Sequence, residues 1–277
     1  MFAKDKVTAE RIGQMKADGK KITALSVYDF AFASIADKAG VDIILVGDSL
    51  GMTFQGEENT LKVTMDQMAY HTRAVRRGVK RALVVADMPF MSFRLGEERS
   101  LENAARLITE GAEAVKLEGA DGVDAVAARM VKSGIPVMGH IGLTPQSVNT
   151  LGGYKVQGLT PESAEKLIED ALRLQDAGVF SMVLECTPME MAARICEKVQ
   201  VPVIGIGAGP YCDGQILVSN DLLGLSMGHV PKFVKKYAAL GAMAEKAMGE
   251  FVKETRGGVF PSETQSYSTA PKKPIAL

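Results

Sequence analysis

Residues 101–119, LENAARLITEGAEAVKLEG, hold the pattern that decides the fold. The first half is helical in its spacing, Gly111 ends it, and a short apolar strand, AEAVKLEG, follows at once. Glycine suits the left-handed position just past a helix end, so the stretch reads as a helix-to-strand joint. The joint recurs. Gly40 precedes VDIILVGD, Gly78 precedes ALVVAD, Gly134 precedes IPVMGH and Gly178 precedes VFSMVLE. Adding ITALSVYD from Ile22, PVIGIGAG from Pro202 and QILVS from Gln215 gives eight strand candidates. They are short, apolar on both faces and separated by helical segments, as in a parallel sheet covered by helices. Thr160-Pro161 and Thr187-Pro188 each offer an N-cap followed by proline at the first helical position.

Eight such units favour an α/β fold closed as a (β/α)8 TIM barrel. The alternative, an open doubly wound sheet, would usually carry GxGxxG after its first strand, and none is there. The glycine-rich IGIGAG lies after the seventh strand instead. In a barrel the loops there often bind phosphate, although a tight, closely packed turn explains the glycines equally well. A barrel of this kind takes about 250 residues as one domain, which fits a single catalytic unit over residues 1–263 of the 277. Residues 264–277, TQSYSTAPKKPIAL, have neither helical nor strand periodicity and read as a mobile tail.

Composition narrows the function classes. Apolar residues are 47% of the chain, enough for a large core, and 32 basic against 33 acidic side chains leave a net charge of −1. That balance offers no footprint for nucleic acid or an anionic membrane. No apolar run approaches the roughly 20 residues that span a bilayer, and the charged N-terminus MFAKDKVTAERIGQMKADGKK has no signal-peptide core. The cytoplasm is the expected compartment. Cys186, Cys196 and Cys212 have no metal-type spacing and read as reduced thiols.

Chemistry collects at the strand ends. The second to sixth candidates end in Asp48, Asp87, Glu118, His140 and Glu185, and Lys116 lies two residues before Glu118, on the same side of its strand. One acidic residue after a strand is usually a cap or a turn former. Five titratable ends opening on one rim point to a site. Hard carboxylate oxygens without thiolates favour Mg²⁺ or a similar ion over structural zinc, with Asp48 and Asp87 as ligands and Glu118 direct or through water. The remaining positions on the ion could take a chelating α-keto acid, whose keto oxygen it would polarise toward an enolate. Glu185 and His140 are the candidate bases. Lys116 either neutralises the carboxylates or forms a Schiff base. His71, in a helical segment, reads as a packed residue, and His229 as an anchor after the eighth strand. Two long connections, 49–65 and 142–160, leave the face where barrel active sites sit and read as lids.

At these residues the chain resembles the ketopantoate hydroxymethyltransferases. The matching segments include LVGDSLGMT (45–53), AYHTRAVRRG (69–78), ADMPFMS (86–92), VKLEG (115–119) and GHIGLTPQSVNTLGGYKVQG (139–158). VLEC (183–186), VIGIGAG (203–209), DGQILV (213–218) and GHVPKF (228–233) extend the match over residues 8 to 263. The resemblance implies a TIM barrel of the phosphoenolpyruvate/pyruvate-domain type. It implies Mg²⁺, with Mn²⁺ or Co²⁺ as alternatives, on Asp48, Asp87 and Glu118, and a keto acid held by Asp48, Ser49, Asp87 and Lys116. Glu185 would be the proton acceptor. The implied reaction passes a hydroxymethyl group from 5,10-methylenetetrahydrofolate to 3-methyl-2-oxobutanoate in pantothenate biosynthesis, in a homo-decamer of two five-membered rings. PYCDG at 210–214 departs from the pattern. The rival readings are a lyase or mutase of the isocitrate lyase and phosphoenolpyruvate mutase group, and a non-catalytic metabolite-binding barrel. The lyase-type KKCGH stretch is missing from the sequence, and every implied site residue is present.

Overall fold

The computed structural model describes residues 5–228 and 230–269. His229 and residues 270–277 of the expected tail lie outside the described residues. The strands are β1 (Ile22–Ser26), β2 (Ile43–Val46), β3 (Leu83–Asp87) and β4 (Ala114–Lys116), then β5 (Val137–Gly142), β6 (Ser181–Glu185), β7 (Val203–Ile206) and β8 (Gly214–Val218). All pairings are parallel, and β8 pairs back onto β1, so the sheet closes as an eight-stranded barrel in sequence order. All eight strand candidates are present.

The helices in chain order are α1 (Ala9–Ala17), α2 (Phe30–Lys38), α3 (Leu50–Thr53), α4 (Met65–Gly78), α5 (Glu97–Thr109) and α6 (Val123–Lys132). After them come α7 (Val148–Leu151), α8 (Pro161–Asp176), α9 (Met189–Lys198), α10 (Ser219–Leu223) and α11 (Leu240–Arg256). Helix α8 shows why they dock: Ala164, Leu167, Ile168, Ala171 and Leu174 share one face and are buried, and charged residues take the other. One expected helix is missing. Only residues 207–213 join β7 to β8, too few to cross the sheet as a helix. There Lys16 pairs with Asp213 at 3.0 Å, and Asp213 accepts from the Val203 amide at 2.8 Å, which ties the turn to the barrel floor.

Alternation along the strands divides the core in two. Ile22, Ile43, Leu83, Ala114, Met138, Val183, Ile204 and Ile216 fill the barrel, and Val7, Ile12 and Met15 of the N-terminal segment stopper its floor. The other face of each strand, with Ile44, Val84, Val115, Val137 and Leu184, packs beneath the helices. Carried to the C-terminal ends, the inward register delivers polar side chains to the mouth.

Three local readings are refined. Gly40, Gly111, Gly134 and Gly178 have positive φ past helix ends, but Gly78 does not. Gly78 is the last residue of α4, where a Cβ would meet the Phe30 carbonyl at 2.6 Å, so close helix packing explains it. Thr160 caps α8, accepting from the Ser163 amide, with Pro161 first in the helix as expected. Thr187 does not cap α9; Pro188 holds that position, and the Thr187 hydroxyl donates to the Glu185 carbonyl at 3.2 Å.

Candidate active site at the barrel mouth

Asp87 closes β3 and pairs in register with Lys116 on β4, so the strand alternation alone brings carboxylate and ammonium together. Lys116 Nζ lies 2.9 Å from Asp87 Oδ1 and 3.7 Å from Glu118 Oε1, with both partners almost fully buried. Asp48 joins them from just beyond β2, its amide donating to Asp87 Oδ2 at 2.9 Å. The chain reaches this point through Gly47, where a Cβ would stand 2.7 Å from Ser49 Oγ and 3.2 Å from Ser26 Oγ. Ser49 is half-buried, and its hydroxyl is 2.9 Å from that of Tyr28.

His140 and Glu185 face the cluster from β5 and β6. His140 Nδ1 is 3.1 Å from Lys116 Nζ and 3.4 Å from Glu118 Oε1, and Nε2 is 3.3 Å from Glu185 Oε2. All the sequence-derived site residues therefore meet in one place. His71 does not: it is buried against the Tyr28 carbonyl, with Phe54 and Tyr70 edge-on to its ring. The expectation of a packed histidine holds. The glycines of IGIGAG lie under side chains, Gly207 against Phe233 and Gly209 against Met189, a close-packed turn. The cysteines are free thiols.

The electrostatics are those of crowded, desolvated carboxylates. Burial raises Asp48 well above the ordinary range, and the charges of Asp87 and Glu118 add to it. Burial also raises Asp87, against the opposing pull of Lys116. Glu118 is held below its ordinary value: burial pushes it up, but the polar His140 ring and the Lys116 ammonium beside it outweigh that. Lys116 is the converse case, its three carboxylate neighbours overcoming burial to keep it an ammonium. That state suits a neutralising lysine and not a Schiff-base one, which needs a free amine.

For His140, burial and the Lys116 charge press the ring toward neutrality, against the pull of Glu118 and Glu185. The 3.1 Å approach of the ammonium decides for the neutral ring, because a proton on Nδ1 would point straight at it. We read the ring as accepting from Lys116 and carrying its hydrogen on Nε2, toward Glu185.

Among the described residues, no group of three acidic, histidine or cysteine side chains is arranged to hold a metal ion as it stands. Lys116 occupies the space between Asp87 and Glu118. The donor set nevertheless fits a hard divalent ion. Asp87 Oδ1 and Glu118 Oε1 both turn to the single Lys116 ammonium, at 2.9 and 3.7 Å, that one ammonium faces three carboxylates, and Mg²⁺ needs only one or two protein carboxylates directly.

The two long connections close over this ring. In 49–65, Leu50, Gly51, Thr60 and Val63 are buried. The 142–160 segment is pinned: the Leu143 amide donates to the Glu185 carbonyl at 2.9 Å and the Gln157 amide to the Cys186 carbonyl at 2.8 Å. The Tyr154 hydroxyl meets the Met52 sulfur at 3.5 Å, joining the segments across the mouth. Gly142, with φ of +87°, lets the 142–160 segment pass under β6, since a Cβ there would stand 2.2 Å from the Glu185 carbonyl oxygen. Sequence reasoning missed Gln146. It is buried in this segment, its side chain donating to Asp48 Oδ2 at 2.8 Å and its amide to Glu118 Oε2 at 2.9 Å. Its only sequence signal was its place within GLTPQS.

Comparison with known proteins gives the lineage. A 3-methyl-2-oxobutanoate hydroxymethyltransferase of Thermoanaerobacter sp. (strain X514) is 52% identical over 265 residues, 95% of this chain and 97% of that protein. One from Carboxydothermus hydrogenoformans is 50% identical over 269 residues, covering 97% and 98%. Among solved structures, a phosphonopyruvate hydrolase is similar with a TM-score of 0.61 at 12% identity, over 95% of this chain and 93% of that one. A 2,3-dimethylmalate lyase of the PEP mutase/isocitrate lyase superfamily has a TM-score of 0.58 at 16% identity, covering 94% and 91%. At those identities the lyase and hydrolase share the fold alone. The profile of the ketopantoate hydroxymethyltransferases matches residues 6–263, and to that family this chain belongs.

Proposed function

We propose that this protein transfers a hydroxymethyl group from 5,10-methylenetetrahydrofolate to 3-methyl-2-oxobutanoate, giving 2-dehydropantoate and tetrahydrofolate in the supply of pantothenate. One observation supports this most: in a chain about half identical to hydroxymethyltransferases along nearly its whole length, buried Asp48, Asp87 and Glu118 face His140 and Glu185 across one barrel mouth. That arrangement suits removal of a proton beside a ketone. A non-catalytic barrel would have no need to bury so many charges together.

Asp48, Asp87 and Glu118 would hold a divalent cation, Mg²⁺ or alternatively Mn²⁺ or Co²⁺. When bound, it supplies a Lewis acid for the keto oxygen. Lys116 offsets the crowding of the carboxylates and offers its ammonium, with the Ser49 hydroxyl, to the substrate carboxylate. Glu185, less buried than its neighbours and beyond the cluster, accepts the C3 proton. His140 Nε2 stands 3.3 Å from Glu185 Oε2 and faces that oxygen across the mouth. The segments 49–65 and 142–160 exclude water from the reacting carbon.

We take residues 1–263 as the catalytic domain and 264–277 as its tail. Two features of the surface favour a homo-oligomer. Helix α11 has no buried residue, and its Met243, Met248, Phe251 and Val252 are exposed. A decamer is the assembly we propose. Among the described residues no helix is long and apolar enough to cross a membrane, and we place the protein in the cytoplasm, acting on small molecules. The test is turnover: with Mg²⁺, methylenetetrahydrofolate and 3-methyl-2-oxobutanoate the protein forms 2-dehydropantoate, and EDTA stops it. Absence of product with all components present would refute the assignment.

A further inference from the structure

Each of the three carboxylates at the mouth has one oxygen engaged by a neutral N–H. The Asp48 amide holds Asp87 Oδ2, the Gln146 side chain holds Asp48 Oδ2, and the Gln146 amide holds Glu118 Oε2. The opposite oxygens of Asp87 and Glu118 face the Lys116 ammonium instead, at 2.9 and 3.7 Å. The pattern sorts the oxygens into a set fixed by neutral N–H groups and a set that faces positive charge, the side a cation would share. Two of the three fixing bonds come from Gln146.

Gln146 is itself held. Its Nε2 also donates to the Met88 carbonyl at 3.0 Å, so both hydrogens of the amide are used and its orientation is set by the backbone after β3. The residue is 7% exposed and sits in the turn Pro145–Ser147. It adds no charge to a cluster that already has too much of one sign. An acidic residue here would repel Asp48, and an apolar one would leave Asp48 Oδ2 without its donor.

We infer that Gln146 is a positioning residue for the metal, setting which oxygens of Asp48 and Glu118 face the ion. This rests on the proposed metal role of those carboxylates. Partners of metal ligands hold them in orientation, and their loss weakens metal affinity by about 10–100-fold. Because Gln146 lies within 142–160, the same bonds fasten that segment to the cluster.

The test is Mn²⁺ binding to the full protein without substrate, read from the electron paramagnetic resonance signal of the free ion. Gln146→Met keeps the shape and removes the side-chain donor; Gln146→Asn keeps an amide with shorter reach. The expected order of affinity is wild type, then Asn, then Met, with the Met variant weaker by about 10–100-fold. Excess Mg²⁺ should restore that variant's rate of C3 proton exchange on 3-methyl-2-oxobutanoate, as a general packing defect would not allow. Equal affinities, or a weak affinity that excess Mg²⁺ leaves without recovered exchange, would overturn the inference. Should Gln146→Met fail a circular dichroism check of folding, Gln146→Asn decides alone. Asp87→Asn in the same assay separates the two levels. If it loses Mn²⁺ while Gln146→Met keeps it, only the positioning role fails; if it too binds normally, the metal reading fails and this inference with it.

Discussion

Replacing Gly142 by alanine would put a single methyl group against the backbone of the proposed base. The new Cβ would meet the Glu185 carbonyl oxygen at 2.2 Å, the Glu185 amide nitrogen at 3.1 Å and Thr187 Oγ1 at 3.1 Å. That oxygen cannot easily retreat, because it accepts from the Leu143 amide at 2.9 Å and the Thr187 hydroxyl at 3.2 Å. The position also has φ of +87°, which costs an alanine roughly 1–2 kcal/mol. Losing one or two of those hydrogen bonds adds about 1 kcal/mol each. The expected destabilisation is therefore about 2–4 kcal/mol, read from urea denaturation. Strand β6 must shift by a good fraction of an ångström, and a displacement of about 1 Å at a catalytic group can cost on the order of 100-fold in rate. Gly13→Ala in α1 is the control: nothing lies within 4 Å of its Cβ, and a helix gains about 0.5–1 kcal/mol from the change. A Gly142→Ala protein with wild-type stability and wild-type C3 exchange would refute the argument that the Gly142 approach positions Glu185.

Lys116→Met removes the ammonium from three buried carboxylates, and breaking such a pair costs about 3–5 kcal/mol; thermal unfolding should show the loss, with Mg²⁺ recovering part of it if the ion takes over the neutralisation. Asp37 accepts from the amides of Lys80, Arg81 and Ala82. Its burial is outweighed by those bonds, which lower its pKa. The stabilisation is thus present above the unfolded pKa of about 3.9 and is lost as pH falls through the lower folded value. Asp37→Asn should be less stable than wild type at neutral pH, the gap closing in strong acid; a gap independent of pH would contradict this. Thr160→Ala should cost about 1 kcal/mol in denaturant unfolding through loss of the α8 cap.

The barrel was legible because glycine joints announce four of the strands, β2, β4, β5 and β6, and most strands are apolar on both faces. The mouth was legible for the same reason: strict alternation means that an acidic residue in phase with inward Leu83 and Val85, as Asp87 is, must point into the barrel. Three things escaped. The absent helix between β7 and β8 could have been found by counting residues 207–213, but the regular βα rhythm argued otherwise. Gly78 has a packing role that depends on Phe30, distant in sequence, and no local rule reports it. Gln146 lies in an aperiodic segment, and an uncharged amide gives no sign of its role until the fold brings Asp48 and Glu118 to it.

The central claim is that metal-assisted removal of the C3 proton occurs at this mouth, with Glu185 as the base. Incubating the protein with 3-methyl-2-oxobutanoate in D₂O and following the C3 proton by NMR tests it directly, with Mg²⁺, with EDTA and with Glu185→Gln. The account predicts exchange that requires Mg²⁺ and disappears in Glu185→Gln, while that variant still binds Mn²⁺ and the keto acid. Unchanged exchange in Glu185→Gln, or exchange indifferent to EDTA, would contradict it.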